Sequence, residues 1–217
     1  MINDIFIHPT SIIGKNVELK AGVKIGAYCI IGELYDDEYT NDKKIIINER
    51  AIINHHSVIY DNVVIGEEVI LDPFSRVGPN AIIGPKTRLL YGARVHEEVV
   101  IGKSCSISGN CPDRTTFGDN VIHLGRIAHS YYYPFADWDE PAEPGPTLGS
   151  CVVVGVDALI IGPIKIGDNI FIFPKEIVRN DLAGDGIFKD GKYINMPNWP
   201  RYFRMLEKIY SKNHHEY

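Results

Sequence analysis

The stretch from Ile47 to Cys111, INERAIINHHSVIYDNVVIGEEVILDPFSRVGPNAIIGPKTRLLYGARVHEEVVIGKSCSISGNC, decides the fold. An aliphatic residue returns every six positions: Ile47, Ile53, Ile59, Ile65, Leu71, Val77, Ile83, Leu89, Val95, Ile101 and Ile107. Four places after each stands a small or β-branched residue, among them Ala51, Ser57, Val63, Ala81, Ala93, Cys105 and Cys111. A period of six matches neither a lone helix nor an alternating strand. It fits short strands joined by tight turns, the pattern of a parallel β-helix. The aliphatic residue points inward and the small one fills the narrow interior beside it. Gly often follows the aliphatic residue, and on sequence grounds it serves corners that need permissive dihedrals.

The same frame opens the chain at Ile7, Ile13, Leu19, Ile25 and Ile31, and returns at Leu148, Val154, Ile160, Ile166, Ile172 and Val178. These 22 in-frame hexads predict seven to eight triangular turns, a prism about 35 Å tall at the usual strand spacing. The fold class expected is therefore all-β. The β-helix is expected over residues 1–180, with an extension of turns and a helix over 181–217. Two interruptions, about 33–46 (acidic) and 130–147 (rich in Pro and aromatics), read as loops thrown out of corners. Between them Phe117, His123 and His129 continue a six-residue spacing and read as substitutes at the inward position. Tyr202, Met205, Leu206 and Ile209 recur at helical spacing after Pro200, so 201–212 reads as a helix that covers an open end of the solenoid or docks on a neighbour.

Composition narrows the function. The net charge of −6 supplies no global field for nucleic acid or an anionic membrane. No run approaches the length of a membrane span, and the first residues lack the features of a signal peptide. The four cysteines form no CxxC pair; Cys29, Cys105 and Cys111 read as small core residues and Cys151 lies one place off that position. A reduced, cytoplasmic protein is expected.

Leu148 to Asn169, LGSCVVVGVDALIIGPIKIGDN, resembles the final coils of the hexapeptide-repeat acyltransferases at Gly149, Gly155, Ala158, Gly167 and Asp168. It departs from them at Val153, where Trp is common, and at Gly162-Pro163, where Pro-Gly is usual. The opening coils are similar to those of acyltransferases acting on nucleotide-linked sugars. The resemblance implies a left-handed β-helix, a homotrimer with sites between prisms, acetyl-CoA as donor along the last coils, and a histidine general base. The expected activity is acetyl transfer to the amino group of an amino sugar, free or nucleotide-linked. O-acetylation of a small hydroxylic acceptor is the alternative.

Imidazole suits proton abstraction near neutral pH. His129, in GRIAHS, precedes the aromatic segment and resembles the catalytic turn of the family; His123 and His96 are the alternatives. Asp137, Asp139 or Glu140 would orient the ring. Gly155, Ala158 and Gly162 are candidates to line the pantetheine arm, and Lys165, Lys175 and Arg179 to meet the phosphates. Asn110, Tyr131, Tyr133, Asp137 and Trp138 are candidates for the acceptor. Two readings of other classes stay open. One is a zinc carbonic anhydrase of the γ class, with His96, His123 and His129 as ligands. The other is a scaffold without catalysis.

Overall fold

A computed structural model describes residues 4–32, 44–130 and 143–197. Its strands are two to four residues long and stack in register into a parallel β-helix of about nine turns, of the left-handed class. Each turn contributes one strand to each of three faces. The first face runs from Phe6–Ile7 to Ile170–Ile172 and ends on a hairpin, Gly186–Lys189 with Lys192–Asn195. The second face runs from Ile12–Ile13 to Asn110–Cys111, then continues as a separate ladder from Arg126–Ala128 to Ile177–Val178. The third runs from Val17–Leu19 to Lys165–Ile166. The inward residues form one column in which Ile25, Ile53, Leu71, Leu89, Ile107, Val154 and Ile172 have no exposed surface. Each coil thus buries its apolar side only against its neighbours.

The corners work differently from the sequence expectation. At the third place after the inward residue the backbone is left-handed with an ordinary side chain, as at Tyr28 (φ 58°), His56 (61°), Asn80 (58°) and Arg114 (61°). Such residues cost about 1 kcal/mol each. The cost is offset by a repeated hydrogen bond: the amides of His56, Asn80 and Arg114 donate to Ala27, Asp61 and Glu97 O, 2.9–3.1 Å away in the preceding coil. Gly32 alone among the glycines directly after an inward residue has the left-handed backbone, φ 64°; the others are needed for space instead. A Cβ on Gly84 would lie 2.5 Å from the carbonyl carbon of Gly102, and one on Gly66 2.7 Å from the nitrogen of Pro85.

The period itself slips at shortened corners. Most partners lie 18 residues apart, as Val77 with Val95, but Val95 pairs with Cys111, Ile101 with Phe117 and Ile107 with His123, each 16 apart. The corner from first to second face has lost two residues between Ile107 and Cys111, and again between His123 and Ile127. Cys111 therefore fills an inward position, not the small one beside it. Phe117 and His123 are inward as expected, but the third member of the series is Ile127, and His129 falls two places beyond it.

The solenoid also extends past residue 180. Leu182 bridges Ile166, and Gly186–Lys189 pairs in parallel with Ile170–Ile172. The first insertion is shorter than expected, since Ile45 and Ile46 already belong to a strand, and Thr147 likewise ends the second. The helix expected over 201–212 lies outside the described residues.

Candidate active site

Both insertions leave the prism at the same edge. Residues 33–43 follow Ile31 of the second face and precede Ile45–Ile47 of the third; residues 131–142 follow Arg126–Ala128 of the second and precede Thr147–Leu148 of the third. Sequence reading finds the two loops but not that they share an edge, because that depends on counting corners modulo three through a frame that slips.

The edge between them is polar. The corner residue two places after each inward one is Asp61, Glu97, Asp113 and then His129 in successive coils, broken only by Pro79. Asn62 Nδ2 donates to Asn80 Oδ1 at 2.8 Å, and Asn80 Nδ2 to Glu97 Oε1 at 3.1 Å. His96 Nε2 lies 2.7 Å from Asn110 Oδ1, and its Nδ1 3.9 Å from Asp113 Oδ1. Asp113 Oδ1 also accepts the Glu97 amide at 3.0 Å.

His129 stands at the end of this row, with about 9 % of its surface exposed and its Nδ1 buried. The next residue, Ser130, donates its amide to Glu143 Oε1 at 2.8 Å, and its hydroxyl contacts the same oxygen. The two ends of the 131–142 insertion are thereby tied together beside the imidazole. Ser130 ends the GRIAHS turn, whereas Glu143 carried no motif in the sequence; their pairing spans the loop and is visible only in three dimensions.

The expected donor-site residues divide. Gly162 (φ 86°) sits one coil beyond His129 on the same edge, close to Ser130. Its amide donates to Ala128 O at 2.9 Å, so that N–H is engaged. Arg179 lies exposed one coil further along this edge. Lys165 is exposed on the third face, its amide donating to Asp181 Oδ1 at 2.8 Å. Lys175 lies at a different corner, beside a depression lined by Arg126, Asp157, Leu159 and Ile177. Gly155 is buried at that corner against the backbone of Pro174. Ala158 points into the interior with no exposed surface, so its side chain lines no site.

Among the acceptor candidates, Asn110 is on the second face next to His96, whereas Tyr131, Tyr133, Asp137 and Trp138 lie outside the described residues. So do Asp139 and Glu140.

His123 is removed from the list of bases. Its ring is wholly buried in the column beside Phe117, with centroids 5.7 Å apart, and neither ring nitrogen has a hydrogen-bond partner among the described residues. Desolvation pushes its pKa down to about 4. An interior position on the first face also separates it from His96, whose ring stands at the edge between the second and third faces. The three-histidine zinc set is therefore not assembled, and no other group of His, Cys, Asp and Glu suited to a metal occurs among the described residues.

No family model matches the chain, and no curated protein does. Several solved structures are similar in fold. The acetyltransferase domain of PglB from Neisseria gonorrhoeae, in complex with acetyl coenzyme A, is 23 % identical, with a TM-score of 0.46 over 52 % of this chain and 50 % of that one. A UDP-N-acetylglucosamine acyltransferase from Francisella novicida is 15 % identical, with a TM-score of 0.47 over 84 % and 66 %. A GDP-perosamine N-acetyltransferase from Caulobacter crescentus, in complex with CoA and GDP-perosamine, is 15 % identical, with a TM-score of 0.34 over 88 % and 56 %. This chain thus spans half to two thirds of their lengths. At these identities and scores no residue role follows from the likeness.

Proposed function

We propose that the chain is an acyltransferase that uses acetyl-CoA, with His129 as general base and an amino sugar, free or nucleotide-linked, as acceptor. The observation that carries the reading is the place of His129: last in the polar corner row, beside the pinned ends of the 131–142 insertion, and directly below Gly162 and Arg179. The resemblance of the Leu148–Asn169 coils to those of the hexapeptide acyltransferases supports it.

The acceptor amine attacks the thioester carbonyl as the neutral His129 ring takes its proton. The C–N bond forms and the C–S bond breaks. The proton held on the ring then passes to the departing thiolate, which leaves as CoA thiol. The donor would run along the edge from His129 past Gly162, with its phosphates beyond Arg179, whose guanidinium suits phosphate oxygens. Lys165 and Lys175 would be secondary, since neither shares that edge.

A homotrimer belongs to the same proposal. The outward residues Ile46, Val64, Ile82 and Val100 make an apolar row on the third face, and Ile82 is 46 % exposed. Such a row is what a neighbouring prism would cover. A cytoplasmic setting is proposed as well: all four cysteines are free thiols, and no helix among the described residues is long and apolar enough to cross a membrane.

The test is thiol release from acetyl-CoA on a panel of amino sugars and their nucleotides, for wild type and His129→Asn, with CoA binding measured in parallel by calorimetry. Turnover should fall about 10²–10⁴-fold in the variant while CoA binding stays within a few-fold. Failure of wild type to bind CoA would overturn the activity; unchanged turnover in the variant would overturn only the base.

A further inference from the structure

Seven arginines lie among the described residues. Arg50 pairs with Glu67 and Glu68, Arg88 with Asp72, and Arg114 with Glu98. The other four, Arg76, Arg94, Arg126 and Arg179, form no ion pair with a described residue. Three of these four point outward from the same face. Arg76 and Arg94 are direct register partners, Arg94 is the register partner of Asn110, and Arg126 holds the corresponding place in the following coil. Like charges directly opposite across a ladder repel. Arg88, outward on the first face, has Asp72 beside it; the arginines of this stripe have no such partner among the described residues.

The stripe is shaped as well as charged. The Arg76 guanidinium lies over the Tyr60 ring, 4.6 Å from its centroid, a cation–π contact that favours this position. Asn110 gives its Oδ1 to His96 Nε2, which leaves its amide N–H groups as donors between Arg94 and Arg126. The row therefore reads guanidinium, guanidinium, amide, guanidinium, with donors throughout. Successive coils are about 4.8 Å apart, so the row is about 14 Å long.

We propose that this row is a binding site for a small ligand carrying adjacent phosphate groups, a diphosphate, held chiefly between Arg76 and Arg94. Guanidinium forks match phosphate oxygens in two-pronged fashion. The positive strip is one residue wide. It is bordered by Glu97, Glu98 and Asp113 along one corner, and the whole chain carries −6. A duplex or an anionic membrane would meet those acids as well, whereas a small diphosphate would not. Arg76 and Arg94 lie two or more coils from His129, while Arg126, the last arginine of the row, shares its coil; binding between Arg76 and Arg94 does not depend on acyl transfer.

Binding of inorganic pyrophosphate and of UDP to the full chain, by calorimetry and thermal shift in 0.15 M salt, tests the proposal. Wild type should bind at least one of them saturably, with a rise in melting temperature. Arg76→Gln and Arg94→Gln should each weaken that binding about tenfold, and the double variant should abolish it. Arg88→Gln, which removes an arginine already paired with Asp72, should change nothing. UDP binding at least tenfold tighter than pyrophosphate would assign the site to a phosphate ester; equal or weaker binding would assign it to the free anion. Absence of binding of both at millimolar concentration overturns the proposal, as does binding that survives the double substitution. Unchanged melting temperatures of the ligand-free variants establish that each is folded.

Discussion

His123 offers the sharpest test of the interior. The ring replaces an aliphatic residue in the column, and burial lowers its pKa from the ordinary 6.5 to about 4. At pH 7 it is neutral in both folded and unfolded chains and contributes nothing to pH dependence. As pH falls below 6.5 the unfolded chain takes a proton that the folded one refuses, so stability is lost from that point and the loss levels off below pH 4. The 2.5-unit difference corresponds to about 3 kcal/mol in full, of which about 2 kcal/mol is lost by pH 5.

The perturbation is His123→Leu, similar in volume and without titration. Its gain at pH 7 is about 1–3 kcal/mol, because two buried ring nitrogens without partners are replaced by carbon. Urea unfolding of both proteins at pH 7, 6, 5 and 4.5 gives the difference in stability, from which carboxylate titrations common to both cancel. That difference should widen by about 2 kcal/mol between pH 7 and 5. A difference that stays constant with pH would refute the buried neutral imidazole.

The corner glycines give a second contrast. Gly84→Ala drives a methyl into the Gly102 backbone and should cost about 1–3 kcal/mol or more, whereas Gly92→Ala meets nothing within 4 Å and pays only the left-handed backbone, about 1 kcal/mol; urea midpoints compare them. In the native protein Cys151 should react with a thiol reagent before the buried Cys29, Cys105 and Cys111. Burial raises the Cys111 thiol to about 12, so mass spectrometry should find it labelled last. Arg179→Ala should weaken CoA binding about tenfold and leave pyrophosphate binding at the Arg76–Arg94 pair unchanged.

Ile47 to Ile107 was readable because a solenoid writes its packing into the sequence. Each inward residue meets the residue one coil away, so a fixed period states the contact map. The reading failed where local geometry departs from the period. Spacing alone carries Cys111 on as a small residue and His129 as an inward one. The shortened corners after Ile107 and His123 move Cys111 into the column and push His129 out to the edge. The role of most of these glycines, Gly32 excepted, departs from the sequence expectation for a related reason. Gly84 is demanded by the approach of the next coil's backbone, and a single coil does not reveal what lies above it.

By itself the sequence determined the solenoid and the places of its two insertions, which follow from the period; His129 entered as a candidate base only through the resemblance of its turn to the acyltransferases. The tertiary structure alone decided that both insertions leave one edge, that Glu143 ties off the loop beside His129, and that His123 is interior. It alone also brought Arg126 onto the face of Arg76 and Arg94, which the period already aligns. These depend on which corner a residue reaches after many turns, and a slip of two residues re-registers everything beyond it.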